Sequence, residues 1–269
     1  MVNFVSKPRY DVDDLKKLIQ FLRSQDGCPW DREQSHESIR RNMLEEAYEA
    51  VEAIDTGDTE HLIEELGDVL MQVLFHADIA ECDKRFTLDD ITDATYRKLI
   101  RRHPHVFGDV KAKDGEESLA RWDDIKREEK LHETSSETML SVARSMPALW
   151  RAEKIQRKAE KVGFDWPDYT GALEALRGEL VELECAIESG DKSGNTNNIK
   201  EELGDLLFSA VNVARFFNID PEDALGSTSD KFIARFTSIE EMASRQGKKL
   251  SEMSFDEMEE LYQQVKLEK

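Results

Sequence analysis

Cysteine is scarce in this 269-residue chain: Cys28, Cys82 and Cys185 lie far apart and form no Cys-x-x-Cys pair. That argues against a disulfide scaffold or a zinc finger and fits a reducing compartment. Glycine (13) and proline (6) are few, so helices can pack a core and extended sheet is not favoured. No apolar run approaches the roughly 20 residues that cross a bilayer. Residues 1–17 hold no apolar core of the kind a secretion signal carries. The expectation is a cytoplasmic protein with no membrane partner. Positive charge is also in short supply: 37 Lys plus Arg against 58 Asp plus Glu leave a net charge of −21. Such a chain repels nucleic-acid backbones, so no nucleic-acid partner is expected. A small phosphorylated ligand remains compatible, given a metal ion and a few local cations.

What is abundant is amphipathic helix. Apolar residues make up 39% and charged residues 35% of the chain. Helical spacing predicts helices over 12–24, 36–55, 59–82, 88–102 and 118–132, then over 147–162, 170–189, 198–217, 221–247 and 254–267. Turn-rich stretches separate them at 26–31 and 104–117, a linker is read at 133–137, and a polar loop at 190–198. No strand is predicted. The fold class is all-α: two tandem helical bundles, 1–133 and 134–269.

Two pairs of carboxylates stand at the centre of the first half. Glu46 and Glu49 are spaced i, i+3, as are Glu65 and Asp68. On a helix each pair shares one face, where like charges weaken an isolated helix. A divalent cation between two such helices would offset the repulsion. The same device returns as Glu179 with Glu182 and Glu202 with Asp205, and Leu66-Gly67-Asp68 is matched by Leu203-Gly204-Asp205. The chain therefore contains an internal duplication. A lone Glu-x-x-Glu in so acidic a chain is usually a solvated face. Its repetition with the same apolar flanks points to a metal site in at least one repeat. Leu66, Val69, Leu70 and Val73, with Leu203, Leu206, Leu207 and Ala210, are read as the buried faces around it. All-oxygen ligands favour Mg²⁺, with Mn²⁺ able to substitute, over zinc or copper.

Basic pairs follow the acidic helices: Lys98 with Arg102, and Lys231 with Arg235, each i, i+4. The duplication favours phosphate binding over plain surface pairing. Lys154, Arg157, Lys158 and Lys161 are a weaker version. Trp30 and Trp166 could stack on a base or anchor loops. His103 and His105 read as structural.

Several stretches together resemble the two-domain MazG family of nucleoside triphosphate pyrophosphohydrolases. They are Gly27-Cys28-Pro29-Trp30-Asp31, the Glu-Glu-x-x-Glu of 45–49, the Glu-x-x-Asp of 65–68, Arg101 to Phe107, Val162 to Trp166, and Gly204 to Phe208 with Asn212. The resemblance implies an all-α pyrophosphatase fold, a homodimer, Mg²⁺ dependence, and hydrolysis of nucleoside triphosphates to monophosphate and pyrophosphate. It also implies that the C-terminal repeat is the main catalytic one. The chain departs from the pattern at Gly178, Ala234 and Phe75, the last standing where the other repeat has Asn212.

The expected mechanism is attack by water. Glu179, Glu182, Glu202 and Asp205 hold Mg²⁺ and assist the attack, while Lys231 and Arg235 neutralise phosphate charge. Asn212 and Trp166 contact substrate, as do Lys98 and Arg102 in the first repeat, where Glu46, Glu49, Glu65 and Asp68 are the metal ligands. The alternative is a helical module that binds metal or nucleotide without turnover and acts through a partner.

Overall fold

The structure is a computed structural model that describes residues 6–108, 111, 113–129, 134–193 and 196–267. It divides into two compact units, Met1–Lys130 and Leu131–Lys269. The boundary placed at 133 falls among residues outside those described. Among the described residues there are helices and no strand.

Unit one begins with α1 (Val12–Leu22), started by a reciprocal cap in which Asp14 N donates to Asp11 Oδ1 at 3.0 Å. A short α2 (Pro29–Glu33) follows, with Pro29 at its first turn. Gly27 makes that turn possible, because a Cβ there would lie 2.2 Å from the Phe21 carbonyl oxygen. α3 (Arg40–Thr56) stops at Gly57, whose φ of 70° is left-handed. Asp58 then accepts from the N–H groups of Glu60 and His61 and opens α4 (Thr59–Cys82). α3 and α4 thus form an antiparallel hairpin. α5 (Leu88–Arg102), capped by Thr87 and Asp90, leads to α6 (Pro104–Phe107) and α7 (Gly115–Glu128). The core of this unit is Ile19, Ile39, Leu74, Phe75 and Ile79. Each such side chain contributes about 1.5–3 kcal/mol by leaving water.

Unit two contains α8 (Ser135–Leu140), α9 (Ala148–Glu160), α10 (Tyr169–Ser193), α11 (Asn197–Phe216), α12 (Pro221–Arg245) and α13 (Phe255–Leu267). α10 packs along α11, and α9 lies against both α11 and α12. Ile239, Ala243, Leu261 and Val265 form the α12–α13 core.

Three expectations are corrected. The linker at 133–137 is largely the start of α8, because Thr134 and Glu137 cap each other; residue 133 lies outside the described residues. The loop at 190–198 is shorter, since α10 continues to Ser193. Finally, the flanks read as buried are partly open: Leu66 is 53%, Leu203 46% and Leu207 48% exposed. The buried stretch of α4 lies further on, from Leu74 to Ala80.

The two units share one ion pair with its polarity reversed. In unit one, Arg23 at the end of α1 donates through Nε to Asp78 Oδ2 of α4 at 2.7 Å. In unit two the acid comes first: Glu160 of α9 receives Nη1 of Arg215 of α11 at 3.0 Å. The chain separation is 55 residues in both cases.

Candidate metal and nucleotide site

In unit one, α3 carries Glu46 and Glu49 and α4 carries Glu65 and Asp68. The hairpin brings carboxylate oxygens of Glu46, Glu49 and Glu65 within 4.8 Å of one another. Asp68 lies outside that set, yet its charge still acts on Glu46, whose pKa is raised first by burial and then by Asp68. Glu65 is buried; its Oε1 lies 3.0 Å from His61 Nε2, and its Oε2 is buried with no partner among the described residues. Burial and then the Glu49 charge raise its pKa.

Unit two repeats the arrangement between α10 and α11, with Glu179, Glu202 and Asp205 oxygens within 4.8 Å. Glu182 lies outside this set. It is nevertheless the largest charge acting on both Glu179 and Glu202, whose pKa values are raised first by burial and next by Glu182. Gly178 is not forced by crowding, because a Cβ there would meet nothing within 4 Å.

These donors fit a hard divalent cation. Every ligand atom is a carboxylate oxygen, the charges repel in its absence, and Glu65 Oε2 is a buried acceptor without a donor among the described residues. Glu46, Glu49 and Glu65 would hold an ion in one unit, and Glu179, Glu202 and Asp205 in the other.

Beside the second cluster lies a cavity of about 440 Å³, walled by Ile155, Ala159, Phe164, Trp166 and Phe208 with Gln156, Asp165, Asn212 and Arg215. Phe208 and Asn212 follow Asp205 by three and seven residues. They continue its helical face, about 5 and 10 Å along the axis. Trp166 rests on the start of α10, where a Cβ on Gly171 would come within 2.7 Å of the indole. Arg215, 5% exposed, bonds Glu160, Asp165 and the Asn212 amide oxygen. Gln156 Nε2 donates to the Phe208 carbonyl at 2.8 Å. In unit one the residue matching Asn212 is Phe75, which is packed into the core.

The structure therefore gathers Trp166 and Asn212 of the expected substrate contacts into one cavity, and adds Gln156 and Arg215. The sequence reading passed over those two; the Asn-x-x-Arg spacing of 212 and 215 was the available signal. The basic pairs differ in state. Arg102 is engaged by Glu129 at 2.6 Å and lies 5.3 Å from the Trp122 ring centre. Chiefly through that bond, the Glu129 carboxyl is held down at about 2. Lys98 and Lys231 are exposed. Arg235 is half-buried, 5.9 Å from the Tyr262 ring centre, with Nε unpaired among the described residues. Arg157 bonds Glu153 on its own helix. His103 contacts the Leu99 carbonyl at 2.7 Å and meets Trp122 edge-on, as a packing residue does. Trp30 is 61% exposed on α2.

Duplicated helix pairs lined with carboxylates, one beside an apolar cavity with polar fixtures, define an all-helical protein suited to hold a cation next to an organic group. The MazG nucleotide pyrophosphohydrolase domain matches residues 34–107 and again 168–239. The chain belongs to that family and carries its domain twice. It is 42% identical over 254 residues to the nucleoside triphosphate pyrophosphohydrolase/pyrophosphatase MazG of Thermotoga maritima, covering 94% of this chain and 95% of that one. Identity to a nucleoside triphosphate pyrophosphohydrolase of Escherichia coli K12 is 40% over 256 residues, covering 95% and 97%. An uncharacterized Bacillus subtilis protein, YabN, is 46% identical over 258 residues; the chain spans 52% of its length.

Proposed function

We propose that the protein hydrolyses nucleoside triphosphates to the monophosphate and pyrophosphate, that it needs Mg²⁺ or Mn²⁺, and that the C-terminal repeat carries the turnover. The observation behind this reading is the face of α11. Glu202 and Asp205 sit at one end, and the cavity residues Phe208 and Asn212 follow along the same face. Phosphates at the acidic end and a base in the cavity suit one extended ligand. Family membership and the names of the two full-length relatives support the same chemistry.

Within this scheme Trp166 stacks on the base and Asn212 bonds its edge. One carboxylate of this cluster, Glu179 or Glu202, takes a proton from the attacking water. Lys231 and Arg235 neutralise phosphate charge and the leaving pyrophosphate. A divalent ion held by Glu179, Glu202 and Asp205 would supply Lewis-acid polarisation of the phosphate. In unit one Glu46, Glu49 and Glu65 would hold an ion with Asp68 adding charge nearby, and Phe75 packs into the core where unit two has Asn212; Lys98 and Arg102 are the phosphate-side residues there. Release of Arg102 from Glu129 would be required for that role.

The protein acts as a homodimer in this proposal. Tyr48, Val51 and Ile54 on α3 and Ile63 and Leu66 on α4 are 45–70% exposed, and Leu180, Val181, Leu203 and Leu207 repeat the pattern at 46–56%. Apolar faces of that extent call for a covering partner.

Pyrophosphate release from the four standard ribonucleoside triphosphates, with Mg²⁺ and then with excess EDTA, tests the function. Turnover that survives EDTA overturns the metal requirement. No release from any nucleotide, with nucleotide still bound, supports the non-catalytic module instead.

A further inference from the structure

We propose that Arg215 is a positioning residue that fixes the hydrogen-bond polarity of base recognition in the C-terminal cavity. The proposal rests on reading that cavity as the base site. A guanidinium offers N–H donors and no acceptor. Arg215 approaches Asn212 Oδ1 twice, with Nε at 3.1 Å and Nη2 at 2.8 Å. The amide cannot turn its NH₂ toward Arg215 without setting donors against donors. Asn212 therefore keeps Nδ2 as a committed donor on the cavity wall.

Gln156 is committed in the opposite sense. Its Nε2 donates to the Phe208 main-chain carbonyl, which can only accept. Its Oε1 is buried and has no hydrogen-bond partner among the described residues, on a side chain 7% exposed that lines the cavity. A ligand N–H would relieve that unpaired acceptor. The cavity thus combines one fixed donor with one fixed acceptor. Arg215 cannot drift from its task, because Glu160 and Asp165 hold the same guanidinium.

Nucleobases present two polarities at the matching edge. Hypoxanthine, guanine and uracil carry a lactam, C=O beside N–H. Adenine and cytosine carry an amidine, NH₂ beside a bare ring nitrogen. The two have donor and acceptor exchanged. A wall with both polarities fixed satisfies one ordering and faces like groups against like in the other. The cavity is therefore a reader of lactam against amidine. Unit one has no such lock: Phe75 and Asp78 stand where Asn212 and Arg215 stand in unit two.

Inosine and adenosine triphosphates isolate this property, because their bases match in size and differ at that one edge. The kcat/KM ratio of the pair should depart from unity by about tenfold or more, the scale of a two-point polar readout, and mostly through KM. Arg215→Lys keeps a positive charge for Glu160 and Asp165 but cannot grip the amide from two sides. Its ratio should fall to within about threefold of unity, with kcat on the better substrate less affected. Asn212→Asp keeps the Arg215 contact and presents only acceptors, so the preference should move toward the other nucleotide. Thermal melts establish that each variant is folded. A wild-type ratio within twofold of unity overturns the proposal, as does an unchanged ratio in folded Arg215→Lys. Should that variant not fold, an unchanged ratio in Asn212→Asp overturns it alone. Absence of turnover with every nucleotide refutes the hydrolase reading instead; calorimetric affinities for the same two nucleotides then decide the polarity lock by the same ratios.

Discussion

The proposed division of labour between the two repeats is tested by two isosteric double variants. Glu182→Gln with Asp205→Asn removes two of the four charges from the second cluster; Glu49→Gln with Asp68→Asn does the same in the first. The geometry indicates why the charges matter. An octahedral Mg²⁺ shell has ligand oxygens about 2.1 Å from the ion, hence about 4.2 Å apart at most. The oxygens of Glu179, Glu202 and Asp205 lie within 4.8 Å of one another, close enough for one ion to be shared among them after a modest closing of the side chains. Losing Asp205 removes one of these three, and losing Glu182 removes the strongest charge acting on the other two. Charge stabilisation by such an ion supplies several kcal/mol to the transition state. At roughly 1.4 kcal/mol per tenfold, turnover should drop on the order of 10² to 10⁴. The first-repeat variant should keep most activity. The assay is pyrophosphate release under saturating nucleotide and Mg²⁺, with circular dichroism confirming the fold. If the first-repeat variant loses activity and the second-repeat variant retains it, the assignment of turnover to the C-terminal repeat is reversed.

Three further outcomes are expected. Light scattering at micromolar concentration should give twice the 31.0 kDa chain mass; a monomer mass would refute the dimer. Gly171→Ala places a methyl 2.7 Å from the Trp166 ring and should displace it, raising KM for nucleotides several-fold with the melting temperature nearly kept; an unchanged KM would remove Trp166 from the base contacts. Glu129 has its folded carboxyl depressed from 4.5 to about 2 by Arg102 and Arg101, so its stabilising contribution is present above pH 4.5 and fades as pH falls toward 2. Glu129→Gln should accordingly melt lower than wild type at pH 7 and converge with it in that acid window; a constant gap would refute the linkage.

Helix positions were legible because a packed helix must repeat its apolar residues with the turn. Caps such as Asp58 and Thr87 fix the helix starts through side chains that bond the first free N–H groups. The carboxylate clusters were legible for another reason: repetition separates a site from an ordinary acidic surface. Leu66 and Leu203 were misread because periodicity marks the apolar face of a helix and not how far the rest of the unit covers it. Gln156 looked like any polar residue on an amphipathic helix. Only the fold reveals that its amide meets the Phe208 carbonyl, 52 residues away. Arg215 gave a local signal toward Asn212, whereas its pairing with Glu160 depends on how α9 crosses α11.

The reversed ion pair of the two units bears on how a duplicated chain sorts its own pieces. Tethered copies meet each other's helices at high effective concentration, the situation in which like segments trade places. Were α1 to dock on α11, Arg23 would meet Arg215; were α9 to dock on α4, Glu160 would meet Asp78. Each exchange sets like charges together where the correct partners are bonded at 2.7 and 3.0 Å. At a separation of about 4 Å and an effective dielectric near 20, such a clash costs about 4 kcal/mol. One inverted pair thus gives each half of the chain a separate address, so that each bundle recruits its own helices.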